Sequence, residues 1–149
     1  MRLIVQRVSK AEVTVNGKVV GKIGKGLFVL LGVKAGDGRE DADYLAEKLL
    51  KLRVMVDKKD KMNLAVKDVK GSFLVVSQFT LYADISKGNR PSFIKAAEPR
   101  EAQDLYEYFV AKLRENSLKV DMGSFGDYME IDAKVDGPVT ILLDSSRNE

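Results

Sequence analysis

Apolar residues open the chain in short runs divided by polar turns. Val13-Thr14-Val15 and Val19-Val20-Gly21-Lys22-Ile23 flank the pair Asn16-Gly17. Both positions of a two-residue hairpin turn favour positive φ, which Asn and Gly tolerate, so a β-hairpin is predicted here. Met1-Arg2-Leu3-Ile4-Val5-Gln6-Arg7-Val8 reads as a first strand before it. Gly26-Leu27-Phe28-Val29-Leu30-Leu31-Gly32-Val33 follows, and its unbroken apolar run implies cover on both faces.

The period then changes. Ala42, Leu45, Ala46, Leu49 and Leu52 recur at helical spacing, which predicts an amphipathic helix over about residues 38–52. Asp37 is its expected N-cap, with Glu40 as capping-box partner. A charged turn, Asp57-Lys58-Lys59-Asp60-Lys61, precedes a second buried strand, Phe73-Leu74-Val75-Val76-Ser77. A polar segment from Asp84 to Ala97 leads to a second helix. Pro99 suits its first turn, and Ala102, Leu105, Phe109, Val110 and Leu113 form its apolar stripe. Three short strands are expected in the tail, near Lys119–Asp121, Tyr128–Val135 and Val139–Leu143. The order is hairpin elements, then βα twice, then β strands. The expected fold is α/β, a single domain over residues 1–149 with a β-rich core and two amphipathic helices.

Composition narrows the chemistry. The 149 residues contain no cysteine and no histidine. Disulfides, zinc-thiolate sites, a thiolate nucleophile and any Ser-His-Asp or Cys-His machinery are therefore excluded. Catalysis would rest on backbone donors, carboxylates, lysine, a hydroxyl or the substrate itself, with no metal and no cofactor expected. The net charge of +3 is mildly basic and suits a solvated Lys/Glu surface as well as a nucleic-acid partner. No apolar run is long enough to span a bilayer, and the N-terminus is too short and too polar at position 6 for a signal peptide. The cytoplasm is the expected compartment, with no membrane partner.

Three stretches break their local pattern. Ser77-Gln78-Phe79-Thr80-Leu81-Tyr82 ends a buried strand in polar groups, where freed backbone N–H groups can face a ligand and serve as an oxyanion hole. An ordinary strand end, its hydroxyls bonded to nearby backbone, is the plainer account when the stretch is taken alone. Lys87-Gly88-Asn89-Arg90-Pro91-Ser92-Phe93 is basic and carries an aromatic, a composition suited to phosphate and sugar contacts in single-stranded RNA and also to a solvated loop. Asp136-Gly137-Pro138-Val139-Thr140 opens an apolar strand with Gly-Pro, which a tight turn alone explains.

Together these residues resemble the D-aminoacyl-tRNA deacylase family. Ser77-Gln78-Phe79-Thr80-Leu81 resembles its first signature and Gly137-Pro138-Val139-Thr140 its second, with Gly88-Asn89-Arg90-Pro91-Ser92-Phe93 between them. Gln6-Arg7-Val8, Gly32-Val33 and Lys61-Met62-Asn63-Leu64 also fit, so the likeness covers essentially the whole chain. Many members carry Asn where this sequence has Val135. The resemblance implies a homodimeric hydrolase that cleaves the ester between a D-amino acid and the 3′ end of tRNA, and that binds no DNA. Gly137 and Pro138 of one subunit would enter the other's pocket through a cis peptide bond and reject L-amino acids. Glycine has no side chain to reject, so glycyl-tRNA would be a second substrate.

Phe79 and Thr80 N–H groups would stabilise the oxyanion, beside Ser77 and Gln78. By the same resemblance Arg7 would hold the Gly-Pro turn, while Lys87 and Arg90 would contact tRNA. Two alternatives stay open: a hydrolase of another activated ester through an acyl-enzyme on Thr80, and a module that holds the tRNA 3′ end without chemistry.

Overall fold

The structure, a computed structural model, describes residues 1–146. Its organising element is β1 (Arg2–Val15), which runs straight through what the hydrophobic pattern divides into a first strand and a hairpin arm. β2 (Lys18–Ile23) returns through the expected turn, with Asn16 at φ 49° and Gly17 at φ 79°. The first half of β1 pairs with β3 (Gly26–Gly32), antiparallel from Arg2↔Gly32 to Val8↔Gly26. The second half pairs with β2 along the same edge.

Two βαβ connections build the rest of the sheet. Helix α1 (Arg39–Lys51) and the hairpin β4 (Met55–Val56) and β5 (Met62–Leu64) separate β3 from β6 (Ser72–Ser77). Helix α2 (Pro99–Arg114) separates β6 from β7 (Lys119–Met122). β3–β6 and β6–β7 are both parallel, as crossover through a helix requires. The charged turn predicted at Asp57–Lys61 lies at the tip of the β4–β5 hairpin.

β8 (Glu130–Asp144) runs along the other edge of β1 for its whole length. This corrects the expectation of two separate strands near Tyr128–Val135 and Val139–Leu143. The Gly-Pro segment bulges out of one continuous strand, because pairing with β1 resumes beyond it at Gln6↔Thr140. The α1 cap also differs from expectation. The N-cap is Gly38, whose N–H donates to the Asp41 carboxylate at 2.9 Å. Asp37 is drawn away, accepting from the Lys34 N–H at 2.6 Å and pairing with the Met1 ammonium at 2.7 Å.

The sheet curls towards closure. The Lys22 N–H donates to Asp121 at 2.7 Å and the Lys119 ammonium to the Lys22 carbonyl at 3.0 Å, drawing β2 onto β7. Val8, Val13, Ile23, Phe28, Leu74 and Val76 fill the inside of the curl. A larger core lies on the opposite face, where Leu45 and Leu49 of α1 and Tyr106, Phe109 and Leu113 of α2 cover Val5, Val29 and Val75. The Tyr106 hydroxyl is satisfied there by the Val75 carbonyl at 2.6 Å. Among the described residues no helix is long and apolar enough to cross a membrane.

Candidate active site

β6 carries its apolar run to the end of the sheet and then turns abruptly. Ser77, half-buried, is its last residue and sits opposite Leu31 of β3. The Gln78 N–H donates to the Leu31 carbonyl at 2.8 Å, and the chain then winds into a single 3₁₀ turn, Phe79–Tyr82. Such a start leaves its first N–H groups without intrahelical acceptors. Those of Phe79 and Thr80 donate to no acceptor among the described residues, whereas Leu81 and Ala83 close the turn onto Gln78 and Thr80 at 3.3 and 3.1 Å. Phe79 and Thr80 are both exposed. Two free donors on an exposed turn are what an oxyanion needs.

The turn fits tightly over β3. A Cβ at Gly32 would lie 3.0 Å from Leu81 Cβ, 3.1 Å from the Gln78 carbonyl oxygen and 3.3 Å from the Tyr82 ring. Only glycine lets the turn seat this low. Tyr82 is buried beneath it, which pushes its phenol above the ordinary range. The Thr80 hydroxyl accepts from the Gln78 side-chain amide. An amide N–H cannot take a proton, so nothing bonded to this hydroxyl activates it as a nucleophile.

The basic loop comes back to the same place. Asp84 and Ser92 exchange two backbone hydrogen bonds of 2.8 and 2.9 Å, folding the intervening residues into a finger. The Asp84 carboxyl is held down to about 2, first by the Ser86 hydroxyl and N–H and then by Lys95. Phe93 meets Phe79 edge to face, with ring centroids 5.0 Å apart. Lys87 and Arg90 lie on the exposed finger and form no ion pair among the described residues. The structure thus brings together the first two of the three stretches singled out in the sequence.

The third stands elsewhere. Opposite Arg7, the residues Asp136–Val139 bulge from β8, with the Gly137–Pro138 peptide bond cis and Gly137 at φ 131°. Arg7 is 8% exposed. Its Nε donates to the Asp136 carbonyl at 3.2 Å and lies 3.3 Å from the Asp136 carboxylate. Its Nη1 donates to the Val54 carbonyl at 2.9 Å, tying the bulge to the chain just past α1. Beside the bulge, the Gln6 side-chain amide donates to the Thr140 hydroxyl at 3.3 Å. Val135 keeps its backbone in register with Val8 and leaves its side chain on the surface.

Residues that the sequence did not single out complete both parts. Arg2 donates to the Leu81 carbonyl at 3.0 Å, and Val54 offers only a backbone carbonyl. Neither role leaves a signal in sequence, since each depends on what lies opposite in the fold. Within one chain the parts do not meet. Arg2, at the turn, and Arg7, at the bulge, are separated by roughly 16 Å of strand at about 3.3 Å per residue, and they alternate onto opposite faces of the sheet.

Known proteins share this chain's sequence and fold. The family model for "D-Tyr-tRNA(Tyr) deacylase" matches residues 4–144. The D-aminoacyl-tRNA deacylase of Thermosipho melanesiensis is 55% identical over 148 residues, covering 99% of each chain. That of Koribacter versatilis is 54% identical over 147 residues, with 99% of each chain covered. A solved structure described as a c-Myc DNA Unwinding Element Binding Protein superposes with a TM-score of 0.91 at 39% identity, over 97% of this chain and 98% of that one. A probable eukaryotic D-amino acid tRNA deacylase shares the fold, with a TM-score of 0.81 at 17% identity over 96% and 98% of the two chains. The chain belongs to the D-Tyr-tRNA(Tyr) deacylase family, whose members hydrolyse D-aminoacyl-tRNA.

Proposed function

We propose that this chain frees tRNA from D-amino acids with backbone groups as its catalytic donors. The observation that carries the proposal is the pair of unpartnered N–H groups at Phe79 and Thr80, exposed on a turn clamped over β3. Water adds to the ester carbonyl, and the developing oxyanion is held by the two donors. The terminal ribose 2′-OH assists in moving the water's proton to the departing 3′-oxygen. Free amino acid and tRNA are the products. Ser77 and Gln78 fix the start of the turn, and Gln78 also occupies the Thr80 hydroxyl.

The test compares deacylation of matched D- and L-tyrosyl-tRNA by wild type and Thr80→Ala. Wild type is expected to act on the D-substrate alone. Thr80→Ala keeps its N–H and is expected to retain activity within about tenfold of wild type, since a donor lost outright costs about 10²–10³. Complete loss with folding and tRNA binding intact would count against the backbone mechanism, and a covalent adduct trapped on Thr80 would favour an acyl-enzyme. Binding of tRNA with no turnover by wild type would leave a binding module.

A second copy of the chain completes the proposed site. In support, the turn and the Gly-Pro bulge stand apart within one chain, and β8 exposes Leu142 at 58%, Ile131 at 39% and Val135 at 38% on its open side. Two-fold pairing would bring the partner's bulge to this chain's turn at two composite pockets. With its amino group anchored there, a D-amino acid directs its side chain outwards, whereas an L-amino acid drives it into the Gly137-Pro138 backbone. Glycyl-tRNA, with no side chain to clash, is a further substrate.

Lys87 and Arg90 are assigned to acceptor-end phosphates. Neutralising both is expected to weaken every tRNA about equally and to flatten the log–log salt dependence of binding by roughly one unit per lost contact. Filter binding from low to high salt measures this. A slope equal to wild type would make the finger a solvated surface.

A further inference from the structure

Arg2 makes three contacts, two with the candidate oxyanion turn and one with β8. Its Nη1 donates to the Leu81 carbonyl at 3.0 Å, and its Nε donates to the Asp144 carboxylate at 3.0 Å. The guanidinium also lies over the Tyr82 ring, 4.7 Å from its centroid. Strand pairing fixes where it starts from, since Arg2 lies between Gly32 of β3 and Asp144 of β8. The turn itself spans only Phe79–Tyr82 and closes on itself through two neutral backbone bonds of 3.3 and 3.1 Å. A charge-assisted hydrogen bond is roughly twice as strong as a neutral one. Among the described residues, Arg2 is the one charged side chain bonded to a carbonyl of the turn.

The fork geometry matters here. Asp144 holds one edge of the guanidinium and the Tyr82 ring supports its face, so the remaining edge arrives at Leu81 in a set direction. Below, Gly32 lets the turn down onto β3; from the side, Arg2 prevents it from lifting or rotating. We propose that Arg2 is a positioning residue for deacylation, holding the turn so that the Phe79 and Thr80 N–H groups point at the reacting carbonyl. This rests on the oxyanion assignment above, and the experiment separates the two.

Single-turnover and steady-state deacylation of D-tyrosyl-tRNA are measured for wild type, Arg2→Ala and Arg2→Lys, per mole of folded enzyme. Amide exchange at Leu81 and Ala83 is followed in the same proteins. Arg2→Ala is expected to lower kcat by about tenfold to a hundredfold, the range set by small misplacements of catalytic donors, with KM within about twofold. Exchange at both amides should accelerate, and Arg2→Lys should restore part of kcat. Unchanged exchange, or a kcat per folded enzyme equal to wild type, overturns the proposal. A wild type that fails to hydrolyse D-tyrosyl-tRNA would overturn the oxyanion assignment, and the exchange rates alone would then decide whether Arg2 holds the turn.

Discussion

Gly137→Ala is expected to lower kcat/KM for D-aminoacyl-tRNA by about a hundredfold or more, with the fold preserved. Gly137 sits at φ 131°, a region that L side chains rarely adopt. The added Cβ would also meet the Val139 nitrogen at 2.9 Å, Val139 Cγ2 at 3.0 Å and Arg7 Nη2 at 3.3 Å. The first of these is backbone and cannot rotate away, so the bulge itself must shift. A shift of about 1 Å in a positioning element is enough for a loss of that size. Asp136, Gly137 and Pro138 are exposed and lie outside both cores, and of the bulge only half-buried Val139 packs against the larger one, so the cost to stability should stay near the ~1–3 kcal/mol of one strained backbone position. Deacylation kinetics alongside thermal unfolding measure the two effects separately. Near wild-type turnover would show that the Gly-Pro bulge does not approach the substrate.

Arg7→Met should act on stability and chirality together. The guanidinium is buried and bonds two backbone carbonyls, those of Val54 and Asp136. Methionine fills much of the volume and supplies no donor, leaving the Val54 carbonyl without its partner at a cost of about 1–3 kcal/mol. The ion pair to Asp136 adds little, because that carboxylate is 56% exposed. For a chain of this length the result is a melting temperature lower by roughly 3–10 °C. The larger effect is expected in selectivity. With its anchor gone the bulge can relax, and the ratio of D- to L-tyrosyl-tRNA turnover should fall by about tenfold or more. A variant that is destabilised and yet discriminates as well as wild type would give Arg7 a purely structural role.

Local elements were legible in the chain because their causes are local. Asn16-Gly17 specifies its turn through φ preferences that neighbours do not alter, and the observed angles of 49° and 79° follow. The helical stripes of α1 and α2 and the continuous apolar runs of β3 and β6 likewise declare themselves by period. The errors lie where two signals compete within a few residues. At α1, Asp37 satisfies the sequence rule for an N-cap, and the Lys34 N–H and the Met1 ammonium outbid the helix for its carboxylate. At β8, Gly-Pro reads as a strand boundary, yet β1 supplies pairing on both sides of it and the strand continues around a bulge.

The absence of histidine and cysteine, and the motifs at Ser77–Leu81, Gly88–Phe93 and Gly137–Thr140, are properties of the sequence by itself, and they carried both the excluded chemistries and the family. Only the tertiary structure decided that the basic finger folds back to set Phe93 against Phe79. It also decided that Gly32 admits the turn, that Arg2 anchors the turn and Arg7 the bulge, and that turn and bulge stand apart within one chain. The reason is physical: residue type and period act over one turn or one strand pair, whereas these contacts join residues 79 positions apart at Arg2–Leu81 and 129 apart at Arg7–Asp136. Their geometry is set by strand register and sheet curvature, which no single segment encodes.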